Sequence, residues 1–282
     1  MSATALALRR TRTVDVGRGL EILGAWMLGL LWILPLLWAV WSAIHPATAS
    51  AQPGLFAPLT LHNFVAAWNT APFGRYMINT VILVTMVLTA QFVLCTPAAF
   101  AFARLNFPGR DTLFALVLIQ LMVSPEILMV ENFQTIGHLG LVDTLTGIAL
   151  PYLGSAFGIF LLRQAFRTVP QDLDDAAKLA GLGVFRRIWH LYVPLARPTY
   201  IAYGLVLVSF HWNNFLWPLV VTNSVTTRPI TVGLAMFSTT DQGTDWSIIT
   251  AATLLSTAPL VVAFLLFQRQ FVQSFMRART VA

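Results

Sequence analysis

The sequence predicts an all-α membrane protein with six transmembrane helices, and three observations support this fold class. Only 10% of the 282 residues are charged, whereas a typical soluble domain carries about 25%. Six apolar runs are each close to the roughly 20 residues that a helix needs to cross a bilayer. The 17 basic residues cluster mainly in the short segments between these runs, as topology signals do.

The six predicted spans are residues 22–44, 76–102, 112–130, 146–166, 199–221 and 247–267. The first run follows several arginines and so has the flanks of a signal peptide. It is longer than the 7–15 apolar residues typical of such a peptide, so we expect it to be a retained first span after a cytoplasmic segment 1–21. Prolines inside the other runs are compatible with membrane helices, because neighbouring groups satisfy the freed backbone.

Charge asymmetry predicts the orientation of the chain. With the N terminus inside, fifteen of the 17 Lys and Arg residues fall on the cytoplasmic side, and only Arg75 and Arg228 fall outside. The positive-inside rule therefore predicts that both termini are cytoplasmic. The external segments are then residues 46–75, 131–145 and 222–246. The third is polar and rich in threonine, which suits either a contact with an external partner or a solvated linker.

The longest hydrophilic stretch on the predicted cytoplasmic side is residues 171–198. Asp172, Asp174 and Asp175 crowd its start, where exposed amides and the helix dipole favour carboxylates. Gly181 and Gly183 permit a turn before a second short helix. The residues alone leave two interpretations open. The pair of helices is either a compact knob suited to a cleft on a partner or an amphipathic loop on the lipid surface.

Enzymatic, metal-binding and nucleotide-binding sites have little support in the sequence. Lys178 is the single lysine and does not follow a glycine-rich loop, so the chain lacks a phosphate-binding loop for ATP. The five histidines show no ligand spacing, and Cys95 is alone, which excludes a disulfide within the chain. We predict no catalytic residue, no metal site and no nucleic-acid partner, although the net charge is +6.

Residues 171–198 resemble the EAA loop of ABC-importer permeases, written E-A-A-x-x-x-G and followed further along by I-x-L-P. The motif positions are occupied by Asp175, Ala176, Ala177 and Gly181, with Pro194 in the later element. Asp175 replaces the usual Glu and keeps the charge on a shorter side chain. Ala180 stands where an Asp often precedes the glycine. These departures affect individual contacts more than the identity of the loop.

The flanking sequence is similar to maltose-type carbohydrate permeases, including the glycerol-3-phosphate and related sugar permeases. The similarity extends over nearly the whole chain from about Leu61. Its most specific parts are LGLVDT at 139–144, LP at 150–151, FGIFLLRQ at 157–164, WNNFLWPL at 212–219 and QRQFV at 268–272. The C-terminal end lacks the glycine-rich ending that is usual in that group.

The resemblance implies a type I ABC-importer permease domain over residues 22–282, located in the cell inner membrane. It also implies four kinds of partner: a second, related permease, two ATPase subunits that hold ATP and Mg, an external solute-binding protein and the lipid bilayer. The EAA loop would be the coupling helix in a groove of the ATPase, with no cofactor on this chain. The resemblance assigns Asp175 a polar contact, Ala176 and Ala177 close packing, Gly181 the turn, and Phe185 and Pro194 the rest of the coupling surface.

Five residues are candidates for the solute pathway. Glu126 is the one carboxylate inside a predicted span, where an acid is a functional candidate by default; the alternative is an interfacial position. Trp212, Asn213 and Asn214 suit sugar stacking and hydrogen bonding, or else polar contacts between helices. Gln120 is a weaker candidate of the same kind. Sugars, sugar alcohols and glycerol phosphates all fit the resemblance, and the lack of a cationic cluster within the spans favours a neutral solute.

The main alternative function is an ion-coupled secondary transporter. Such transporters usually need several intramembrane carboxylates, and Glu126 is nearly alone. A membrane-embedded enzyme is a further alternative, but the sequence offers no pairing of a nucleophile with a base.

Overall fold

The computed structural model describes residues 16–46, 58–235, 237 and 245–279, and these residues form helices without strands. The helices are α1 Val16–Ala43, α2 His62–Thr70, α3 Phe73–Arg104, α4 Arg110–Ile119, α5 Met129–His138, α6 Leu145–Ala149, α7 Ala156–Arg167, α8 Gln171–Leu179, α9 Val184–Leu195, α10 Arg197–Trp212, α11 Leu216–Val221, α12 Ile230–Ala235 and α13 Trp246–Arg279. Short 3-10 turns extend α4 over Gln120–Met122 and α6 over Leu150–Tyr152.

Three single helices in the described part of the chain are long and apolar enough to cross a membrane. They are Glu21–Ala43, Phe73–Arg104 and Trp246–Gln268, which cover the first, second and sixth predicted spans. The number is five if each of two bent helix pairs counts as one span, namely Leu145–Tyr152 with Ala156–Arg167 at 50° and Val184–Leu195 with Arg197–Trp212 at 80°. Helix α1 begins at Val16, so part of the predicted cytoplasmic segment 1–21 is helical, and residues 1–15 lie outside the described residues.

The predicted third span, 112–130, is wrong as a single helix. Helix α4 and its 3-10 turn end at Met122, and α5 begins only at Met129. Pro125 lacks an N–H and disfavours helical backbone at Ser124. The Ser124 hydroxyl donates instead to the Glu126 carboxylate. Glu126 therefore lies exposed in a break between helices, and a crossing by this segment stays a prediction.

The predicted fourth and fifth spans are also interrupted. Between α6 and α7 the Ser155 hydroxyl accepts a hydrogen bond from the Gly158 amide at 3.1 Å and so starts a new helix. Between α10 and α11 the Asn213 side chain donates to the Ser209 carbonyl at 2.8 Å. Pro218 is in the first turn of α11, where the lost N–H would have had no helical partner. The spans 146–166 and 199–221 are thus pairs of helices.

The chain divides into two compact units, the first comprising residues 1–64 and 245–254. In this unit the amide of buried Asn63 donates to the carbonyls of Ala43 at 2.9 Å and His45 at 2.7 Å. These bonds satisfy carbonyls at the C-terminal end of α1. Asp245 accepts from the Ser247 amide at 2.9 Å and so caps the start of α13. Most of α1 carries exposed apolar side chains, as a lipid-facing helix does.

The second unit, residues 65–244 and 255–282, is organised around α3. Helices α6, α7, α10 and α12 all pack against α3. One apolar cluster joins Leu83 and Val87 of α3 to α6, α10 and α11. A second joins Cys95, Ala99 and Phe100 near the end of α3 to α7 and α9. These clusters bring the two-helix segment formed by α8 and α9 (residues 171–195) to the C-terminal end of α3.

Candidate functional site

The turn of the two-helix segment depends on one glycine. Gly181 has a φ of +76°, in the left-handed region that favours glycine. Its amide donates to the Lys178 carbonyl at 2.9 Å, and the Leu182 amide donates to the Ala177 carbonyl at 3.0 Å. Together these bonds form a Schellman motif, which satisfies the last carbonyls of α8. Gly181 therefore occupies the turn, the role that the EAA resemblance assigns to it.

The outer face of the two-helix segment is apolar and open. Leu179 is 90% exposed and Phe185 is 74% exposed. Ala176 and Pro194 are also exposed, and Ala177 is half-buried. Large apolar side chains are costly to leave in water, so their exposure on the two-helix segment indicates an interaction surface. Five of the six predicted coupling residues, including Asp175, are therefore accessible to a partner.

Asp175 already has a partner within α8. The Lys178 ammonium donates to its carboxylate at 2.8 Å, and this bond lowers the pKa of Asp175 and raises the pKa of Lys178. Both side chains remain about half exposed, so a surface ion pair of this kind contributes little to stability. Asp175 is consequently ionised and free to exchange Lys178 for a contact on another molecule.

The inner side of the segment carries a buried ion pair that the sequence did not predict. Asp174 is 2% exposed, and Nη1 of buried Arg187 donates to both of its carboxylate oxygens, at 2.8 and 3.0 Å. The Lys178 ammonium is 2.9 Å from the same carboxylate. Burial raises the pKa of Asp174, but the interactions with the Lys178, Tyr192 and Arg187 side chains outweigh it and lower the pKa.

The sequence grouped Asp174 with the other carboxylates at the start of α8 and assigned no role to Arg187. Arg187 in fact precedes buried Ile188, with Tyr192 one turn further on the same side. An arginine on the buried face of a short helix requires a counter-charge. The position of Arg187 on the side of α9 that carries Ile188 and Tyr192 was therefore the sequence signal that could have predicted its ion pair with Asp174.

The bundle contains a cavity of about 400 Å³ within the second unit. It lies between the α4–α5 break, α7 and α10, with Gln91 of α3 at one wall. Of the predicted pathway residues, Gln120, Glu126 and Asn214 line it. The Asn214 amide donates to the Tyr152 hydroxyl at 3.0 Å, and the Gln91 amide donates to the Tyr152 carbonyl at 2.6 Å.

Trp212 and Asn213 do not line this cavity. The Trp212 indole is buried and donates to the Ser256 carbonyl of α13 at 3.0 Å. This is a polar contact between helices, the alternative that the sequence left open for this residue. Asn213 is exposed, and its amide closes the end of α10. Neither contact tests a place on the solute pathway, which stays a prediction for both residues.

Tyr203 closes one side of the cavity through a tight contact. Its hydroxyl donates to the Gln91 side chain, and its ring lies against Gly158 of α7. A Cβ at position 158 would overlap the Tyr203 hydroxyl. Gly158 thus allows α7 and α10 to approach closely, and the Tyr203–Gln91 bond ties α10 to α3 at the cavity wall.

A second carboxylate that the sequence did not single out fixes the loop after α11. Asp143 has a φ of +59°, and its Oδ1 accepts from the amides of Asn223 at 2.9 Å and Ser224 at 3.0 Å. The Thr227 hydroxyl donates to the same oxygen. Burial raises the pKa of Asp143, but the Ser224 amide, the Thr227 hydroxyl and the Asn223 amide together lower it to about 2. The start of the polar 222–246 segment is thus an ordered loop.

Long apolar helices, interrupted spans and an exposed two-helix segment are the features of a transport permease. Residues 95–277 match the family described as binding-protein-dependent transport system inner membrane component. The match covers more than half of the chain, which therefore belongs to this family.

Relatives and solved structures agree with that assignment. The chain is 30% identical over 277 residues to the sn-glycerol-3-phosphate transport system permease protein UgpE of Yersinia pestis bv. Antiqua (strain Antiqua), covering 93% of this chain and 98% of the relative. It is 30% identical over 261 residues to UgpE of Shigella flexneri serotype 5b (strain 8401), covering 88% and 93%.

A bacterial ABC transporter involved in the import of the acidic polysaccharide alginate has a chain that superposes with a TM-score of 0.81 at 20% identity, covering 91% of this chain and 98% of that one. Another structure, of the alginate ABC transporter with its alginate pentasaccharide-bound periplasmic protein, gives 0.66 at 16% identity, covering 91% and 97%.

The predicted type I permease fold and family are confirmed. The chain is a permease subunit of an ABC importer, an inner-membrane component with several apolar helices. This assignment decides against the ion-coupled secondary transporter. The family is one of transport permeases rather than of enzymes.

Proposed function

We propose that this permease imports a neutral sugar or sugar-like solute by alternating access, and that ATP hydrolysis on a separate subunit drives it. The observation that carries the proposal is the open apolar surface of the two-helix segment, beside the Gly181 turn. In the proposed assembly a second, related permease completes the pathway, two ATPases bind the coupling surfaces, and an external binding protein delivers the solute. The arginine distribution supports cytoplasmic termini and a cytoplasmic two-helix segment.

The charges of the two-helix segment favour a protein cleft over a lipid surface. Interfacial amphipathic helices carry Lys and Arg on their polar face and are attracted to anionic lipids. Helices α8 and α9 expose Asp172 and Asp175 but also Lys178 and Arg186, so their exposed charges balance. A surface without an excess of cations is not drawn to an anionic membrane, and its apolar side chains suit a groove on a protein partner. The knob is therefore the better of the two interpretations that the sequence left open.

ATP and Mg belong to the partner in this proposal. The sequence lacks a phosphate-binding loop, and the ammonium of Lys178 is held by Asp174 and Asp175. The chain itself would then bind no cofactor. The relatives of this family named above are permease proteins, which supports an ATPase on another chain.

The cavity lining supports a neutral, hydroxyl-rich solute. Amide groups of Gln91, Gln120, Asn132 and Asn214 reach it, and amides exchange hydrogen bonds with hydroxyl groups. Glu126 is the only carboxylate, and no Lys or Arg occurs, among the described residues that line it. A phosphate or uronate group would meet a like charge there without a compensating cation. This chain would then differ in solute from the relatives named for glycerol phosphate and alginate.

The docking surface is tested by placing a charge in its centre. We expect Leu179→Asp to lower ATP-dependent uptake at least tenfold, because burial of an unpaired carboxylate in the groove is unfavourable. The ATPase should no longer co-purify with the tagged variant, whereas membrane insertion is unchanged. Asp111→Asn is the control, since it removes an exposed charge at the start of α4, outside the two-helix segment. Uptake that persists after the ATPase is inactivated would exclude the importer mechanism.

The solute class is tested at Glu126. Vesicles with the assembled importer are compared for uptake of a neutral sugar and of glycerol phosphate, and we expect only the sugar to accumulate. Glu126→Gln should weaken uptake more than assembly, whereas Glu131→Gln, an exposed acid on α5 outside the cavity lining, should have no effect. Normal sugar uptake by Glu126→Gln would show that its charge is dispensable, and accumulation of glycerol phosphate would contradict the neutral solute.

A further inference from the structure

Helix α8 has an unusual attachment to the rest of the protein. Its only buried residue is Asp174. Its apolar side chains point outward, with Leu173 44% exposed and Leu179 90% exposed. A surface helix normally buries an apolar stripe against the core, and α8 buries a carboxylate instead. Apolar packing therefore does not determine where α8 sits.

Asp174 binds a residue that is part of the bundle. Arg187 begins the buried side of α9, and its guanidinium lies over the Phe100 ring at 5.6 Å. The next buried residues of α9, Ile188 and Tyr192, pack in the cluster with α3 and α7. The Tyr192 ring meets Phe100 and Phe166 edge-on at 5.0 and 5.4 Å. A displacement of Arg187 is therefore a displacement of the end of α3.

The other attachments of α8 are weaker. Arg104 donates to the exposed Gln171 side chain at 2.7 Å, and an exposed hydrogen bond of this kind contributes little because water replaces it readily. The chain enters α8 through Thr168–Pro170 and leaves through Ala180–Gly183, which are non-helical connections. Lys178, the second cation on Asp174, is in α8 itself and joins it to nothing else in the bundle. Arg187 is thus the ion-pair partner that holds α8 to α9, and the Tyr192 hydroxyl of α9 interacts with the same carboxylate.

We propose that the Asp174–Arg187 ion pair is the positioning contact through which a displacement of α8 moves α3 and α9. The proposal rests on the proposed function, in which an ATPase holds the outer face of α8. The pair joins α8 to the bundle in the low-dielectric interior, where two charges separate only at high cost. Without it, a docked α8 rotates about its two connections while the bundle stays in place.

The proposal separates ATP hydrolysis from solute transport, two activities that normally change together. Docking uses Leu179 and Phe185 on the outer face, whereas transmission uses Asp174 on the inner face. Loss of transmission therefore leaves ATP hydrolysis active but reduces the solute moved per ATP. Loss of docking, as in Leu179→Asp, removes both. Asp174 and Arg187 are positioning residues, because neither faces the docking surface nor lines the cavity.

The experiment measures uptake and ATP hydrolysis in the complete importer, reconstituted in vesicles with its ATPase, partner permease and binding protein. We expect Asp174→Asn to lower the solute transported per ATP about tenfold, within the range of coupling between sites in one protein. Asp111→Asn, at the start of α4 and 78% exposed, should keep the ratio of the unmodified importer. An unchanged ratio in assembled Asp174→Asn would overturn the proposal.

A second variant separates transmission from folding. Asp174→Asn leaves the Arg187 charge buried without its counter-ion, so assembly can suffer. The double variant Asp174→Asn/Arg187→Gln removes both charges and should recover the amount of assembled complex, with the transport-to-hydrolysis ratio still low. A ratio that recovers with assembly would show a purely structural role and contradict the proposal. If the unmodified complex shows no ATP-dependent uptake, the proposed function fails instead.

Discussion

Helices α7 and α8 follow each other along the chain and are of similar length, 12 and 9 residues, but they are attached in opposite ways. Helix α7 buries Ala156, Gly158, Leu162 and Phe166 along one face against its neighbours, together with Arg163. Helix α8 buries only Asp174. Close packing along a face resists displacement at every point of contact. A single ion pair resists it at one point and depends on charge.

This difference divides the second unit into two kinds of region. Helices α3, α7 and α10 share buried clusters and the Tyr203–Gln91 bond, so they are suited to move together. Helix α8 is held to this group of helices through the ion pair between Asp174 and Arg187. The cavity lies in the closely packed group of helices α3, α7 and α10, whereas the docking surface lies on α8. The Asp174–Arg187 ion pair connects the two.

The largest loss of stability is expected at Gly158, where α7 and α10 leave no space for a side chain. Gly158→Val would place side-chain atoms within the position of the Tyr203 hydroxyl. Overpacking of this kind costs about 1–3 kcal/mol, and here we expect about 3 kcal/mol because the overlap is with the tyrosine that closes the cavity. Thermal unfolding of the purified protein measures the loss.

Gly154→Val is the matched control for that variant. Gly154 precedes α7, and a Cβ there meets no atom within 4 Å, so we expect a change within about 0.5 kcal/mol. A loss of stability in Gly158→Val as small as that in Gly154→Val would show that α7 and α10 can separate at little cost. The contrast between α7 and α8 would then disappear.

A smaller loss of stability is expected at the turn of the two-helix segment, because a side chain there would have room but would strain the backbone. A Cβ on either Gly181 or Gly183 meets nothing within 4 Å, but only Gly181 has a positive φ. Gly181→Ala should therefore cost about 1–2 kcal/mol, and Gly183→Ala should cost nothing or stabilise slightly. Gly181→Pro cannot adopt this φ and should abolish uptake while membrane insertion is retained.

Uptake and proteolysis of the segment measure the glycine series. Full transport by Gly181→Pro would show that the two-helix segment is not the coupling element. Similar behaviour of the two alanine variants would show that the turn tolerates a Cβ, contrary to its left-handed backbone.

The sequence predicted the long helices because an apolar run is a local signal. Hydropathy identified α1, α3 and α13, but it gave no warning that Pro125 ends a helix. A proline in a membrane helix is tolerated or not according to whether neighbours satisfy the backbone, and those neighbours are distant in sequence. Pairs such as Asp174 with Arg187, or Asp143 with Thr227, lie 13 and 84 residues apart. Only the tertiary fold selects such partners.

The smallest effect is expected at Asp143, a carboxylate held in a different way from Asp174. All three of its loop contacts, from the amides of Asn223 and Ser224 and the hydroxyl of Thr227, go to Oδ1. An asparagine can present its carbonyl oxygen at that position and tolerates a positive φ. We therefore expect Asp143→Asn to cost only about 1 kcal/mol, the loss of charge assistance in these bonds.

The pH dependence of stability distinguishes the two versions of residue 143. The folded pKa of Asp143, about 2, is below the ordinary value of about 3.9 for an aspartate. The stabilisation is therefore fully present above about pH 4 and is lost as the pH falls toward 2. In Asp143→Asn that part of the acid sensitivity should vanish, which unfolding measured from pH 6 to pH 3 will show. An acid response identical to that of the unmodified protein would contradict the assignment.

The same substitution at Asp174 should be the more damaging of the two. Backbone amides accept an asparagine as a replacement partner, because they carry no charge that must be balanced. The Arg187 side chain is 91% buried, so a neutral partner leaves its guanidinium charge uncompensated. Equal losses of stability in Asp143→Asn and Asp174→Asn would contradict the expectation that the buried Arg187 charge needs an anionic partner.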